Sequence, residues 1–288
     1  MRIGACIMLL LAIAATPAMA NVVLTNGDAS FTIVETYVSG SQPYHPWTHQ
    51  TNGDADFKTD ATALDQAYKY CWGVRQTNGT NHYMDWFSYP APLRTVGTDT
   101  VTYKWVNAGT SASGYFDATF VITLLDDPTP GRAKVTCDVT LKNLDTTGSK
   151  AFNLFNDTNL DIGGSGSAAN DTASIVDGNL ALGRITDPTL GFGDTYGQGA
   201  TRYEVQTAAN VGTHCFTGSY DLTTVGPNIP TPYGPADVAI GMEWTQSIGA
   251  QQSATFHHEM SLGIELPEPS SLGLLAVAGL LALRRRHA

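Results

Sequence analysis

The sequence contains few charged residues, and basic residues are the scarcest. Only 14% of its 288 residues are charged, with 15 Lys and Arg against 26 Asp and Glu. When four arginines and one glutamate near the termini are set aside, 11 basic and 25 acidic residues give the body a net charge of −14. Nucleic-acid binding needs basic side chains that neutralise phosphates. The composition therefore argues against a nucleic-acid partner.

Glutamate is scarce as well, with six residues against 20 aspartates. The aspartates stand mostly among Gly, Asn, Ser and Thr, a context that favours turns over helix interiors. Helical periodicity is correspondingly rare. We predict one short helix, at 61–70, where Leu64, Ala67 and Tyr68 share a face.

Cysteine is limited to four residues. Cys6 lies in the N-terminal segment, which leaves Cys71, Cys137 and Cys215, an odd number, at spacings that match no zinc motif. One disulfide with one remaining thiol, or three isolated buried thiols, both agree with the sequence.

The first 20 residues have the pattern of a secretory signal. Arg2 provides a positive start, 3–15 is almost wholly apolar, and Ala18 and Ala20 occupy the −3 and −1 positions of a cut before Asn21. The apolar segment is too short for an ordinary membrane-spanning helix. We expect 1–20 to be a signal helix that is removed, and the protein to be exported by the Sec machinery.

The body, 21–266, alternates apolar and polar residues as β-strands do. The clearest case is a predicted hairpin of 114–124 and 133–141, with Cys137 on the apolar face. Further strands are predicted at 101–106, 151–162, 202–205, 238–245 and 254–266, the last two as a closing hairpin. Many short strands with Gly- and Pro-rich turns indicate one all-β domain, a large antiparallel β-sandwich.

Two groups of polar residues have side chains of the kinds that bind metals. Asp157, Asn159 and Asp161 alternate as oxygen ligands of Ca²⁺ would, but an EF-hand glycine and glutamate are missing at the required positions. A solvated strand face is the favoured interpretation, so we expect no cofactor, with Ca²⁺ as the one candidate. His45 and His49 flank Pro46, which disfavours a metal-binding helix.

No catalytic motif stands out. The sequence contains no G-x-S-x-G elbow, phosphate loop or dinucleotide fingerprint. Glu243 and Glu259, on the polar face of the predicted closing hairpin, are the best candidates for the paired carboxylates of a glycosidase. Neighbouring His258 is expected to be a core residue. We therefore predict that the body is not an enzyme, with a secreted carbohydrate-active enzyme as the alternative.

Aromatic residues are densest between residues 68 and 89. Flat rings stack on sugars, and neighbouring amides can bond hydroxyl groups, so Tyr70, Trp72, Tyr83 and Trp86 are candidate ligand-binding residues. The competing interpretation is that these rings fill the core of the sandwich.

The C-terminal segment, 267–288, carries a recognisable combination of features. Pro267, Glu268 and Pro269 precede a 12-residue apolar segment, 272–283, and the segment ends with Arg284, Arg285 and Arg286. Such a segment spans about 18 Å as a helix, against roughly 30 Å of hydrocarbon. The arginines would stop translocation on the cytoplasmic side. It is therefore expected to be a short hydrophobic helix and a marginal anchor.

This segment resembles the PEP-CTERM sorting signal of exported bacterial proteins. The resemblance implies recognition and cleavage by an exosortase, after transient anchoring in the inner membrane of a Gram-negative-type bacterium. The body also looks like the large β-sandwich domains that such proteins often carry. We therefore expect a sorted cell-surface or extracellular-matrix protein whose body contacts extracellular polysaccharide or has a structural role.

Overall fold

The computed structural model describes residues 21–36, 45–46, 55–59, 65–76, 79–84, 92–110, 114–164, 168–176, 182–217, 219–222 and 232–264. The predicted signal helix with its Ala18–Ala20 cleavage site, the Pro267–Pro269 motif, the apolar tail helix and the arginine cluster all lie outside these residues. Within the described residues, the single α-helix is too short to cross a membrane.

Most of the described residues form β-strands. In chain order the strands are β1 (Val22–Asn26), β2 (Ala29–Ile33), β3 (Glu35–Thr36), β4 (His45–Pro46), β5 (Ala55–Lys58), β6 (Lys69–Gln76), β7 (His82–Tyr83), β8 (Leu93–Val96), β9 (Thr100–Thr110), β10 (Gly114–Asp126), β11 (Arg132–Asn143), β12 (Lys150–Asn159), β13 (Thr172–Ile175), β14 (Leu182–Asp187), β15 (Gly191–Gln198), β16 (Arg202–Thr207), β17 (Val238–Ile248) and β18 (Ser253–Ile264). The helical elements are α1 (Ala208–Phe216) and a short 3₁₀ helix (Ala168–Asn170).

Two antiparallel sheets form the body of the fold. The larger has eight strands in the order β13-β14-β15-β18-β11-β10-β9-β8, and the smaller has five, in the order β16-β17-β12-β6-β7. A three-stranded sheet, β1-β2-β5, and the pair β3-β4 complete the described strands. The prediction of an all-β antiparallel sandwich is confirmed.

The predicted β10–β11 hairpin is confirmed, with Val121 opposite Asp138 and Phe120 opposite Val139. Along β11 the residues alternate between buried and more exposed positions, and Cys137 is fully buried. Each buried aliphatic side chain on this face stabilises the fold by about 1.5–3 kcal/mol relative to exposure.

Large aromatic rings fill the space between the sheets. Trp72 on β6 stacks on Trp244 on β17, with ring centroids 5.8 Å apart. It also meets Phe120 of the larger sheet edge-on at 5.6 Å. These contacts tie the two sheets together across the core.

The predicted closing hairpin is wrong, although both strands exist. β17 pairs with β12 and β16 in the smaller sheet, whereas β18 pairs with β11 and β15 in the larger sheet. A turn closed by the Gln252 N–H donating to the Gly249 carbonyl, at 3.1 Å, carries the chain from one sheet to the other. Each strand has one strongly apolar face, and burying both faces requires the strands to lie in opposing layers.

The predicted helix at 61–70 is also wrong where the chain is described. Residues 65–68 are irregular, and Lys69 begins β6. The Asp65 carboxylate accepts the N–H groups of Phe57 and Ala67 at 3.0 and 3.1 Å, bonds that compete with helical ones. The α-helix forms instead at Ala208–Phe216, packed against the smaller sheet.

Candidate functional site

The outer face of the larger sheet brings together several polar side chains. Strand alternation directs His258 inward and His257 outward. Cross-strand register places Gln198 of β15 and Asp138 of β11 on either side of His257. Tyr196 and Glu259 form the adjacent cross-strand pair.

His257 lies between two carboxylates. Its Nδ1 is 2.7 Å from Asp138 Oδ1, and its Nε2 is 3.0 Å from Glu259 Oε1. Lys134 Nζ donates to the other Glu259 oxygen at 3.1 Å. The imidazole can therefore act as an imidazolium that donates from both nitrogens.

The protonation equilibria of this pair are shifted in opposite directions. Partial burial disfavours the charged imidazole, but the hydrogen bonds to Asp138 and Glu259 outweigh it and raise the pKa of His257. Burial likewise opposes ionisation of Glu259, yet His257 and Lys134 together lower the pKa of that carboxyl. The contacts between the two groups thus favour the protonated imidazole and the ionised carboxylate.

His257 and Asp138 border an open cleft of about 470 Å³, here called the His257 cleft, and Glu259 lies behind His257 without lining it. It is lined by Asp138, Gln198, Thr255, Phe256 and His257. Its volume lies within the range of small-molecule sites. The Gln198 amide and the Thr255 hydroxyl can each donate and accept hydrogen bonds, as recognition of sugar hydroxyls requires.

The two predicted aromatic residues whose side chains the structure describes do not lie on the surface. Tyr70 and Trp72 are fully buried in the core, where Tyr70 packs edge-on against Phe31 at 5.7 Å. This agrees with the competing interpretation, that these rings fill the sandwich. Tyr83 forms part of β7, and Trp86 lies outside the described residues.

The hypothesis that Glu243 and Glu259 are paired is wrong, because their strands belong to different sheets. Glu259 lies on the open outer face of the larger sheet, whereas Glu243 is fully buried on the outward face of the smaller one. Glu243 accepts hydrogen bonds from Asn153 Nδ2 at 2.5 Å and from the Leu222 N–H at 2.8 Å, and Arg75 lies 3.7 Å away. Its environment is that of a structural carboxylate.

The expected solvated strand face at Asp157, Asn159 and Asp161 is wrong, since all three side chains are buried. Asp157 forms an ion pair with Lys69 at 2.5 Å, although burial still raises the pKa of this carboxyl. Burial, reinforced by the charge of Asp237, raises the pKa of Asp161 to about 6. In the part of the chain that is described, no three carboxylate, imidazole or thiol groups lie close enough together to hold one metal ion.

His258 is a core residue, as predicted. It is fully buried, with Nδ1 3.2 Å from the Tyr70 hydroxyl and Nε2 2.7 Å from the Thr195 hydroxyl. Burial lowers the pKa of His258 to about 3, so it stays neutral at physiological pH.

Sequence reasoning missed His257, Asp138 and Gln198 as members of one site. Alternation along β18 was sufficient to place His257 on the face opposite His258. The other two belong to strands about 60 and 120 residues earlier, and only the register of the sheet brings them together.

No known protein-family model matches this chain, and no curated protein sequence matches it. Its fold is similar to that of a galactose mutarotase-like protein from Lactobacillus casei, at 8% identity and a TM-score of 0.49, over 85% of this chain and 100% of that one. A putative aldose 1-epimerase from Escherichia coli is similar at 9% identity and a TM-score of 0.41, over 86% and 99% of the two chains. A putative kojibiose phosphorylase from the human microbiome is similar at 11% identity and a TM-score of 0.37, over 92% of this chain and 32% of that one.

At these identities the likeness concerns the fold alone. The names of these proteins denote enzymes that act on sugars, which contradicts the sequence-based prediction that the body is not an enzyme. That prediction is withdrawn.

Proposed function

We propose that the body is a carbohydrate-active enzyme that transfers protons at the anomeric centre of a sugar in the His257 cleft. One observation carries the proposal. The imidazole of His257, which lines an open cleft and has a raised pKa, lies 3.0 Å from the Glu259 carboxylate, whose pKa is lowered. Such a pair suits general acid–base catalysis.

Glu259 and His257 alone can supply both proton transfers of the reaction. Glu259 removes the proton from the anomeric hydroxyl of a cyclic aldose while the bond between the anomeric carbon and the ring oxygen breaks. His257 gives its proton to that ring oxygen, which leaves an open-chain aldehyde. Rotation about the adjacent carbon–carbon bond and the reverse transfers then close the ring as the other anomer.

The surrounding residues support this division of roles. Lys134 and His257 keep Glu259 ionised, so it is ready to accept a proton. Asp138 holds Nδ1 of His257 at 2.7 Å, which fixes the ring and directs Nε2 toward Glu259. A sugar that enters here replaces the bond between His257 and Glu259 with one bond to each residue.

The test is the rate of anomer interconversion of α-D-glucose and α-D-galactose, followed by polarimetry. Replacement His257→Gln is expected to lower kcat/KM by about 10²-fold or more, the usual contribution of a general acid. The rate should fall at high pH, as His257 loses its proton, and at low pH, as Glu259 gains one. The His257→Gln variant keeps the neighbouring ionisable residues Tyr196, Lys134 and Asp138.

His214 offers a matched control on α1, which packs against the smaller sheet. Its Nδ1 is 2.6 Å from Glu204, and its side chain is exposed to a similar degree, 29% against 27% for His257. His214→Gln should leave the rate unchanged. A His257→Gln variant within twofold of the parent, or a parent protein that accelerates interconversion of neither sugar, would contradict the proposal.

We infer from the sequence that this enzyme is exported and sorted through its PEP-CTERM-like tail. The support is the order Pro267-Glu268-Pro269, apolar segment and three arginines. Replacing all three motif residues with alanine should leave an uncut, membrane-associated form in a host that carries an exosortase, detected by a mass shift. Normal release of that variant would argue against sorting.

A further inference from the structure

Three aspartates and one asparagine from distant parts of the chain converge where β12 ends. Asp161 follows β12, Asp171 precedes β13, and Asp237 precedes β17. Asn159 is the last residue of β12. This group is here called the Asp171 cluster.

Hydrogen bonds hold the cluster together. The Ile162 N–H donates to Asp171 Oδ2 at 3.2 Å, which places Asp161 beside Asp171. The Ala236 N–H donates to the Asp171 carbonyl at 3.0 Å, which brings Asp237 to the same place. Asn159 Nδ2 donates to Asp237 Oδ1 at 3.1 Å.

Two buried oxygens of the cluster have no hydrogen-bond partner. They are Asp171 Oδ1 and Asn159 Oδ1, on side chains that are 1% and 0% exposed. In each side chain the other polar atom forms a hydrogen bond within the cluster, which fixes the position of the unpartnered oxygen. Leaving such groups unsatisfied costs about 1–3 kcal/mol each, and native structures rarely do so without a ligand or water.

The neighbouring basic side chain is already engaged. Lys69 pairs with Asp157 at 2.5 Å, two residues before Asn159 on the same face of β12. The charge of Lys69 is therefore engaged by Asp157 outside the cluster, and the exposed residue Asp237 borders the site on its solvent side.

We propose that the Asp171 cluster binds a divalent cation of the calcium class. Carboxylate and amide oxygens are hard ligands, and no imidazole or thiol belongs to the cluster, which disfavours zinc and copper. Ca²⁺ accepts an irregular set completed by carbonyl oxygens and water. Such a set does not require three carboxylates around one position, and among the described residues no such trio is found.

The cluster differs from the alternating ligands considered in the sequence. Asp157 does not belong to the proposed ligand set, because it forms an ion pair with Lys69. Asp171 and Asp237 come from loops that the sequence pattern did not connect. An affinity in the range of about 10⁻⁴–10⁻³ M is expected, as for calcium sites of extracellular modules.

The test is calcium binding by the purified protein, measured by titration calorimetry and by the thermal unfolding midpoint in 0–10 mM CaCl₂ at constant ionic strength. Calcium should bind at one site and raise the midpoint by several degrees. Both effects should be absent in Asp171→Asn and strongly reduced in Asp237→Asn. Asp237 is exposed, so its variant keeps the test decisive if Asp171→Asn does not fold.

Asp99→Asn provides the control, because Asp99 is an exposed acid outside the cluster. It should retain the full calcium response. A parent protein that binds no calcium, a response that survives in both cluster variants, or an equal response to MgCl₂ would each overturn the proposal. The cluster lies where β12 of the smaller sheet ends, whereas the His257 cleft lies on the larger sheet, so these readouts do not depend on sugar turnover.

Discussion

At the scale of single residues, the two glutamates proposed from sequence as a catalytic pair have different environments. Glu243 is fully buried and bonded to Asn153 and to the Leu222 N–H. We expect Glu243→Gln to lower the free energy of unfolding by about 1–3 kcal/mol, because the buried Asn153 amide and Leu222 N–H lose a charged acceptor, while Arg75 keeps its ion pair with Asp221. Urea denaturation measures this.

Glu259→Gln is the matched comparison. The Glu259 side chain is 31% exposed and its ion pair with Lys134 is largely solvated, so the expected loss is about 1 kcal/mol or less. Equal losses in the two variants would mean that Glu243 does not support the smaller sheet as described.

His258 makes the stability of the fold depend on pH. Its pKa is lowered to about 3 in the folded protein, while an unfolded histidine titrates near 6.5. The unfolded chain therefore gains a proton before the folded one does, and stability falls as the pH drops from about 6.5 toward 3. Between pH 6.5 and 5 this single group should cost about 2 kcal/mol.

The variant His258→Gln should be less stable than the parent at pH 7.5, because the ring packing is lost. It should also lose less stability than the parent between pH 7.5 and 5. Other titrating groups affect both proteins alike, so the difference between their urea midpoints isolates His258. A parallel pH dependence in the two proteins would show that this histidine is not kept neutral by burial.

At the scale of elements, strand existence followed from alternation, but strand partners did not. The β10–β11 hairpin was predictable because a short turn joins two alternating runs. The β17–β18 connection is similarly short, yet those strands enter different sheets. Local sequence does not encode which partner buries an apolar face, because that depends on β12 and β11, which lie about 90 and 120 residues earlier.

The glycines of β15 show how closely the layers approach. A Cβ added at Gly193 would lie 2.3 Å from Leu160 Cδ1, too close for contact without movement. We expect Gly193→Ala to destabilise the protein by about 1–3 kcal/mol, the usual cost of overpacking a core. Thermal or urea unfolding measures the loss.

Gly148→Ala is the control for backbone effects. A Cβ at Gly148 meets no atom within 4 Å, and the residue does not have a positive φ. Its stability should change by less than about 0.5 kcal/mol, as for most surface substitutions. If Gly193→Ala were equally neutral, Leu160 would have room to move and the layers would be less tightly packed there.

At the scale of the whole molecule, the candidate site was less predictable than the fold. Alternation indicated the sandwich, but it also suggested a pair of glutamates that the two-layer arrangement separates. The His257 cleft depends on the register of three strands, β15, β18 and β11. The dense aromatic residues suggested a ligand-binding surface. Tyr70 and Trp72 are instead fully buried core residues that join the two sheets.

The described cysteines give the molecule no covalent cross-link. Cys71, Cys137 and Cys215 are buried thiols, and no disulfide joins them within the described residues. Burial raises the pKa of the Cys137 and Cys215 thiols far above their ordinary value, which keeps them protonated and unreactive.

The thermal midpoint of the folded protein should therefore be the same with and without dithiothreitol, and a thiol reagent should label these three residues only after denaturation. A fall in the midpoint by about 5 °C or more under reducing conditions would instead reveal a disulfide, since losing one from a folded domain costs about 2–5 kcal/mol. Stability of this sandwich rests on its core rather than on oxidation, so its fold is expected to form equally well in reducing and in oxidising surroundings.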